Sequence, residues 1–198
     1  MSSSSTTDGR TAFLFLDYQN DVINLFPTSH IKDAFLTASR RLYSAVSKAK
    51  DAQDLVVLHT AIEFRSGYPE AQTSLLKEWL ESTQVLVEGT AGAQFHHNFE
   101  PGDDDIVVKH RRYNPFHSTD LDVLLRSLNV KELYLAGTQT SGVVLSAARS
   151  AFDHDYTVKV VRECTFDPNP RLQAALLEEL WRTQTVGLDA VLNALVSY

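Results

Sequence analysis

The chain has 198 residues, 43% hydrophobic and 22% charged, with a formal net charge of −7 and one cysteine. That length can bury a substantial core without staples, and a lone cysteine closes no internal disulfide. The acidic balance argues against a general nucleic-acid or anionic-membrane binder, since both need a basic surface. No apolar run reaches the roughly 18 residues of a membrane span.

Residues 1–10, MSSSSTTDGR, read as a disordered polar tail. The tail has no apolar signal core, so the cytoplasm is the expected compartment; export without a signal peptide leaves no mark in a sequence. From residue 11 to 198, strand-like apolar runs alternate with amphipathic helices. Thr11–Leu16 reads as a buried strand, and Ile31, Phe35, Ala38, Leu42 and Val46 mark one face of a long helix. Leu55–His59 is a second strand, followed by the loop FRSGYPE and a helix near Ala71–Leu80. Asp105–Lys109 is a third strand, with Leu121, Leu124, Leu125 and Leu128 on one side of the helix after it. Residues 132–136 form a fourth strand, and Val144, Ala147, Ala148, Ala151 and Phe152 give the next helix its apolar face. Thr157–Val161, a last helix opening at Pro170, and a closing strand at Thr183–Val186 complete the series. This alternation, without an internal repeat or linker, predicts one α/β domain. The expected form is a Rossmann-like three-layer α/β/α sandwich with a mostly parallel six-stranded sheet.

In such sheets ligands bind beyond the carboxyl ends of the strands. Asp17, Lys109 and the turn at 137–143 all fall there. Singly, each has an ordinary reading: a turn aspartate, a solvated lysine, a helix cap at Thr140 or Ser141. Their convergence on one crevice is what points to chemistry. No Gly-x-Gly-x-x-Gly follows the first strand, so no dinucleotide, and no cofactor of any kind, is expected.

Three segments carry a resemblance: FLFLDYQND at 13–21, VVKHRRYNPFHSTDL at 107–121 and GTQTSGVVLSAARSAF at 137–152. Together they resemble the isochorismatase-like hydrolase superfamily, which includes nicotinamidases, N-carbamoylsarcosine amidases and isochorismatases. The resemblance covers nearly the whole chain. It implies that Asp17 is the catalytic aspartate and Lys109 the catalytic lysine, with a loop to Phe116 one residue longer than usual. It also implies a non-proline cis peptide at Thr138–Gln139. Most members carry a cysteine six residues after the glycine of the third motif; here that position is Val143.

A valine has no lone pair, so the thioester route of the cysteine-bearing members is closed. Isochorismatases also lack the cysteine, and they hydrolyse a vinyl ether. The resemblance therefore implies an enzyme releasing pyruvate from isochorismate or a similar small carboxylated substrate. Asp17 would be the general acid, with Lys109 as its electrostatic partner. Gln139, Ser141, Gly142, Val143, Arg65 and Phe116 are the expected substrate contacts, Arg65 because a guanidinium can clamp a carboxylate. Two alternatives stand beside this reading. One is a non-catalytic relative that binds a small metabolite or a protein partner; the other is an amide hydrolase using Ser141 or activated water. Cys164 lies outside the motif and reads as a buried, inert thiol.

No metal is expected, because the Asp-x-His pair of nicotinamidases is absent after His59 and the adjacent His96 and His97 lack ligand spacing. His110 and His117 flank the variable loop; one of them could line the pocket, but the reading preferred for both is a solvated loop residue. A homo-oligomer is expected by analogy with relatives.

Overall fold

The structure, a computed structural model, describes residues 9–72 and 75–196. Of the expected tail, residues 1–8 lie outside the described residues. Arg10 opens the first strand, paired with Val130 and salt-bridged to Asp54 at 2.8 Å, so the last residue assigned to the tail belongs to the sheet.

The strands are β1 (Arg10–Leu16), β2 (Val56–Ile62), β3 (Ile106–His110), β4 (Val130–Thr138), β5 (Thr157–Phe166) and β6 (Thr185–Val186). They form one six-stranded sheet in the order β3-β2-β1-β4-β5-β6, with every pairing parallel. The order reverses at β1, whose neighbours are β2 and β4, so a crevice opens at its carboxyl end. The helices are α1 (Asn20–Asn24), α2 (His30–Ala49), α3 (Leu75–Thr83), α4 (Leu121–Ser127), α5 (Leu145–Asp153), α6 (Pro170–Ala174) and α7 (Leu188–Val196). Pro170 takes the first turn of α6, and Asn169 caps it by accepting from the Arg171 and Leu172 amides. A closing helix, α7, follows the last expected strand, and LDAVLNALV buries Leu188, Val191 and Leu195 at helical spacing.

Strand alternation divides β1 between two cores. Ala12, Leu14 and Leu16 face a cluster with α4 and α5, including Leu121, Leu125, Ala147 and Ala151. Phe13 and Phe15 face α2 and α7 through Phe35, Leu42, Val46 and Leu195. Two expected core positions are solvent-facing: Ile31 is 63% exposed and Phe152 is 67% exposed. In α2 the buried stripe starts instead at Lys32, whose ammonium donates to the Phe26 carbonyl at 2.8 Å while its stem lies along the core. A third, smaller cluster of Val22, Phe64, Tyr68, Leu80 and Leu86 joins α1 and α3 beyond the ends of the strands.

Candidate active site

Asp17 follows the last residue of β1 with φ 58°, in the left-handed region that aspartate tolerates better than most residues. The turn lays its buried carboxylate across the tips of β2 and β3. Thr60 Oγ1 donates to Asp17 Oδ1 at 2.6 Å, and His110 Nε2 lies 2.8 Å from the same oxygen. Oδ2 accepts no hydrogen bond among the described residues, which leaves it to the cavity that Asp17 lines.

The partner of Asp17 is therefore His110 and not Lys109. Consecutive strand residues point to opposite faces, and in β3 Val108 and His110 are buried while Val107 and Lys109 are exposed. The Lys109 side chain is 61% exposed and ion-paired with Glu63 at 2.6 Å. Lys109 is thus corrected as a site residue, and His110 is corrected from a solvated loop residue to a fully buried one.

Hydrogen-bond bookkeeping constrains the protons of this pair. His110 Nδ1 lies 2.5 Å from the Arg112 carbonyl, which can only accept, so Nδ1 carries a hydrogen. Nε2 faces Oδ1 of Asp17. That contact is a hydrogen bond only when the two groups share one further proton, as imidazolium with carboxylate or as imidazole with carboxylic acid. Burial alone pulls the His110 pKa down. The Asp17 charge, the hydrogen bond to it and the Arg112 carbonyl outweigh burial and raise it above its ordinary 6.5.

The third motif closes the crevice from the β4 side. Gly137 is needed there, since a Cβ would lie 2.5 Å from the Leu16 carbonyl. The Thr138–Gln139 peptide is cis, at the position the resemblance implied. A π-helical turn, Thr140–Val144, then leads into α5, and Asp167 accepts the Ser141 amide at 2.9 Å. Val143 is buried and lines the cavity, as do Thr138 and Gln139. Among the described residues no base contacts the Ser141 hydroxyl.

The cavity measures about 450 Å³, within the range of small-molecule sites. Its walls are mostly apolar, including Phe26, Phe64, Leu76, Trp79 and Leu86, with Arg111, Arg112 and Tyr113 at one side. Of the expected substrate contacts, Gln139 and Val143 line it, whereas Ser141 and Gly142 do not. Arg65 and Phe116 are elsewhere: Arg65 pairs with Glu70 at 2.5 Å, and Phe116 stacks on His154 with centroids 5.5 Å apart. Cys164 is buried away from the cavity, and burial pushes its thiol up to about 12. Among the described residues no group of three or more His, Cys, Asp or Glu side chains could hold a metal. No helix among them is long and apolar enough to cross a membrane.

His110, Thr60 and the Arg111–Tyr113 loop were missed from sequence. The alternation in IVVKH was the available signal for His110, since it puts Val108 and the histidine on one face.

Residues 11–188 match the family model described as the isochorismatase domain. A maleamate amidohydrolase of Pseudomonas putida is 32% identical over 122 residues, covering 60% of this chain and 55% of that enzyme. The chain thus spans about half the length of that relative. The ureidoacrylate amidohydrolase RutB of Pseudomonas syringae is 26% identical over 187 residues, 85% of this chain and 76% of that enzyme. Among solved structures, an isochorismatase family protein from Desulfovibrio vulgaris superposes with a TM-score of 0.78 at 25% identity, covering 95% of this chain and 99% of that one.

Proposed function

The chain belongs to the isochorismatase domain family, and from that premise we propose that it is a cysteine-independent hydrolase of small carboxylated amides. The observation that carries this reading is the state of Asp17: one oxygen is occupied by Thr60 and His110, and the other is left to the cavity. A carboxylate so held is a general base for water. Oδ2 takes a proton from a water molecule as its oxygen attacks the amide carbon. The same proton passes to the departing amine, leaving a carboxylic acid and restoring Asp17. The His110 imidazolium offsets the charge on Asp17 throughout. No acyl-enzyme forms, because Val143 stands where a thiol would attack. The printed names of both curated relatives, amidohydrolases of maleamate and ureidoacrylate, support the choice of an amide.

A second reading rests on the proton shared between Asp17 and His110. In the form with the proton on Asp17, the site is an acid able to protonate the methylene carbon of a vinyl ether, and isochorismate would then yield pyruvate.

One experiment separates these readings. Ammonia release from maleamate and ureidoacrylate, and pyruvate release from isochorismate, are measured for the wild type and for Asp17→Asn. The expected result is Asp17-dependent ammonia release, with no acyl hydroxamate formed when hydroxylamine is present. Pyruvate release alone transfers the assignment to the vinyl ether. A folded wild type inactive on all three substrates overturns the hydrolase reading in favour of a binding protein.

A further inference from the structure

The loop after β3 separates two cavities. The first is the apolar cavity that holds Asp17. The second, of about 400 Å³, is strongly cationic and is lined by Arg65, Lys109, Arg111, Arg112 and His117, with Glu70 as its carboxylate. Arg111 and Arg112 line both.

Charge balance singles out one of these cations. Arg65 is paired with Glu70, Lys109 with Glu63 at 2.6 Å, and Arg111 with Glu88 at 3.4 Å and Glu70 at 3.5 Å. Arg112 meets no carboxylate among the described residues. Its Nη1 donates to the Arg111 carbonyl at 2.6 Å and its Nη2 to the Glu70 carbonyl at 2.8 Å. Carbonyls satisfy N–H groups and orient the guanidinium plane, but they do not cancel its charge. The result is a pre-oriented cation with spare donors at the junction of the two cavities. Its own backbone carbonyl receives His110 Nδ1, so its place relative to Asp17 is fixed by the same pair. The space beyond is walled by Leu25, Phe26, Phe64, Leu76, Trp79 and Leu86, which offer an apolar body much and a second charge nothing.

We infer that Arg112 anchors the substrate's carboxylate and selects monoanions whose apolar body fills the cavity beside Trp79. As a statement about substrate, this rests on the hydrolase reading above; as a statement about binding, it stands alone. Arg112 is a specificity-determining residue on this account, since it holds the end of the substrate remote from the bond that breaks.

The test uses isothermal titration of the purified chain with phenylacetate, phenylacetamide and inorganic phosphate. Phenylacetate is expected to bind, and Arg112→Gln to weaken it by about ten-fold or more, as loss of a charge-assisted pair does. Phenylacetamide affinity should change by less than about two-fold, because the neutral amide never used the charge. Arg112→Lys should recover only part of the loss, since an ammonium lacks the planar fork. If Arg112→Gln does not fold, as judged by circular dichroism, the Lys variant and the salt dependence of wild-type phenylacetate binding decide the question. Equal phenylacetate affinity in wild type and variants overturns the inference. So does phosphate binding as tightly as phenylacetate, which would make this a general oxyanion pocket. Unchanged phenylacetate affinity in Arg112→Gln alongside Asp17-dependent amide turnover defeats the anchor alone. Arg112-dependent binding in a protein that hydrolyses nothing supports the anchor and defeats only the hydrolase reading.

Discussion

Two buried histidine–aspartate pairs are found among the described residues, one built from Asp17 and His110, the other from Asp105 and His59. In the second, Asp105 precedes β3 and accepts from the Gly102 amide at 2.9 Å, Tyr43 at 2.9 Å and Lys50 at 3.1 Å, with His59 Nε2 at 3.3 Å. Burial alone would raise the Asp105 pKa, but these four donors overcome it and hold the carboxyl far below its ordinary 3.8. Burial dominates at His59 and lowers its pKa, so the ring is neutral; it sits between Phe15 and Tyr43, and its buried Nδ1 has no hydrogen-bond partner among the described residues. At the other pair the balance is reversed: His110 is raised, and Asp17 keeps one oxygen for the cavity. A buried His–Asp contact is therefore not a site in itself. What separates the two is spare hydrogen-bonding capacity on the carboxylate, together with a cavity for it to face.

The sharpest way to break this contrast is Asp17→Asn, which keeps the shape of the side chain and removes the base. Turnover is expected to fall by about 10³-fold with an unchanged far-ultraviolet spectrum; retained turnover would end the assignment. His110→Gln should cost about 10²-fold, and His110→Lys should restore activity to within about ten-fold if a cation beside Asp17 is what matters. The pH profile carries the same test. Because the folded pKa of His110 lies above 6.5, its imidazolium is present below 6.5 and is lost as pH rises through the raised value. Turnover should accordingly decline on the alkaline side, and in His110→Lys that decline should move towards the lysine range of about 10. An unmoved alkaline limb in that variant would refute the role of His110.

Asp105 should behave in the opposite way. Asp105→Ala is expected to cost about 3 kcal/mol of stability, because it strands the buried His59 and the tied-down Lys50, while turnover per folded molecule stays at the wild-type value. Its stabilisation is present above 3.8 and is lost only as pH falls through the much lower folded value, so Asp105→Asn should flatten the acid limb of the unfolding curve. Acid titration of chemical denaturation checks this. The smallest effect concerns Cys164, whose thiol, raised to about 12 and buried, should resist iodoacetamide in the folded protein and react once it is denatured. Rapid labelling of native protein would show a site that the fold does not predict.

Much of this architecture was legible in the chain itself. The six strands, their parallel pairing and the position of the third-motif turn were all readable because local periodicity reports which face is buried. Ends of elements were less so: β5 runs on to Phe166 and β3 to His110, since pairing with a neighbour extends a strand beyond its apolar run. Ile31 and Phe152 misled because an apolar side chain at the margin of a helical stripe can face water at little cost.

The fold class and the placement of Asp17 at the crevice could be read from the chain alone, because strand and helix periodicity report which faces are buried and where each strand ends. It took the three-dimensional arrangement to show that His110 and not Lys109 meets Asp17, that Arg65 is spent on Glu70, and that Arg112 meets no carboxylate among the described residues. The reason is physical. A one-residue change of parity at the end of a strand turns a side chain from cavity to solvent, and charge pairing is settled by distances between segments remote in sequence.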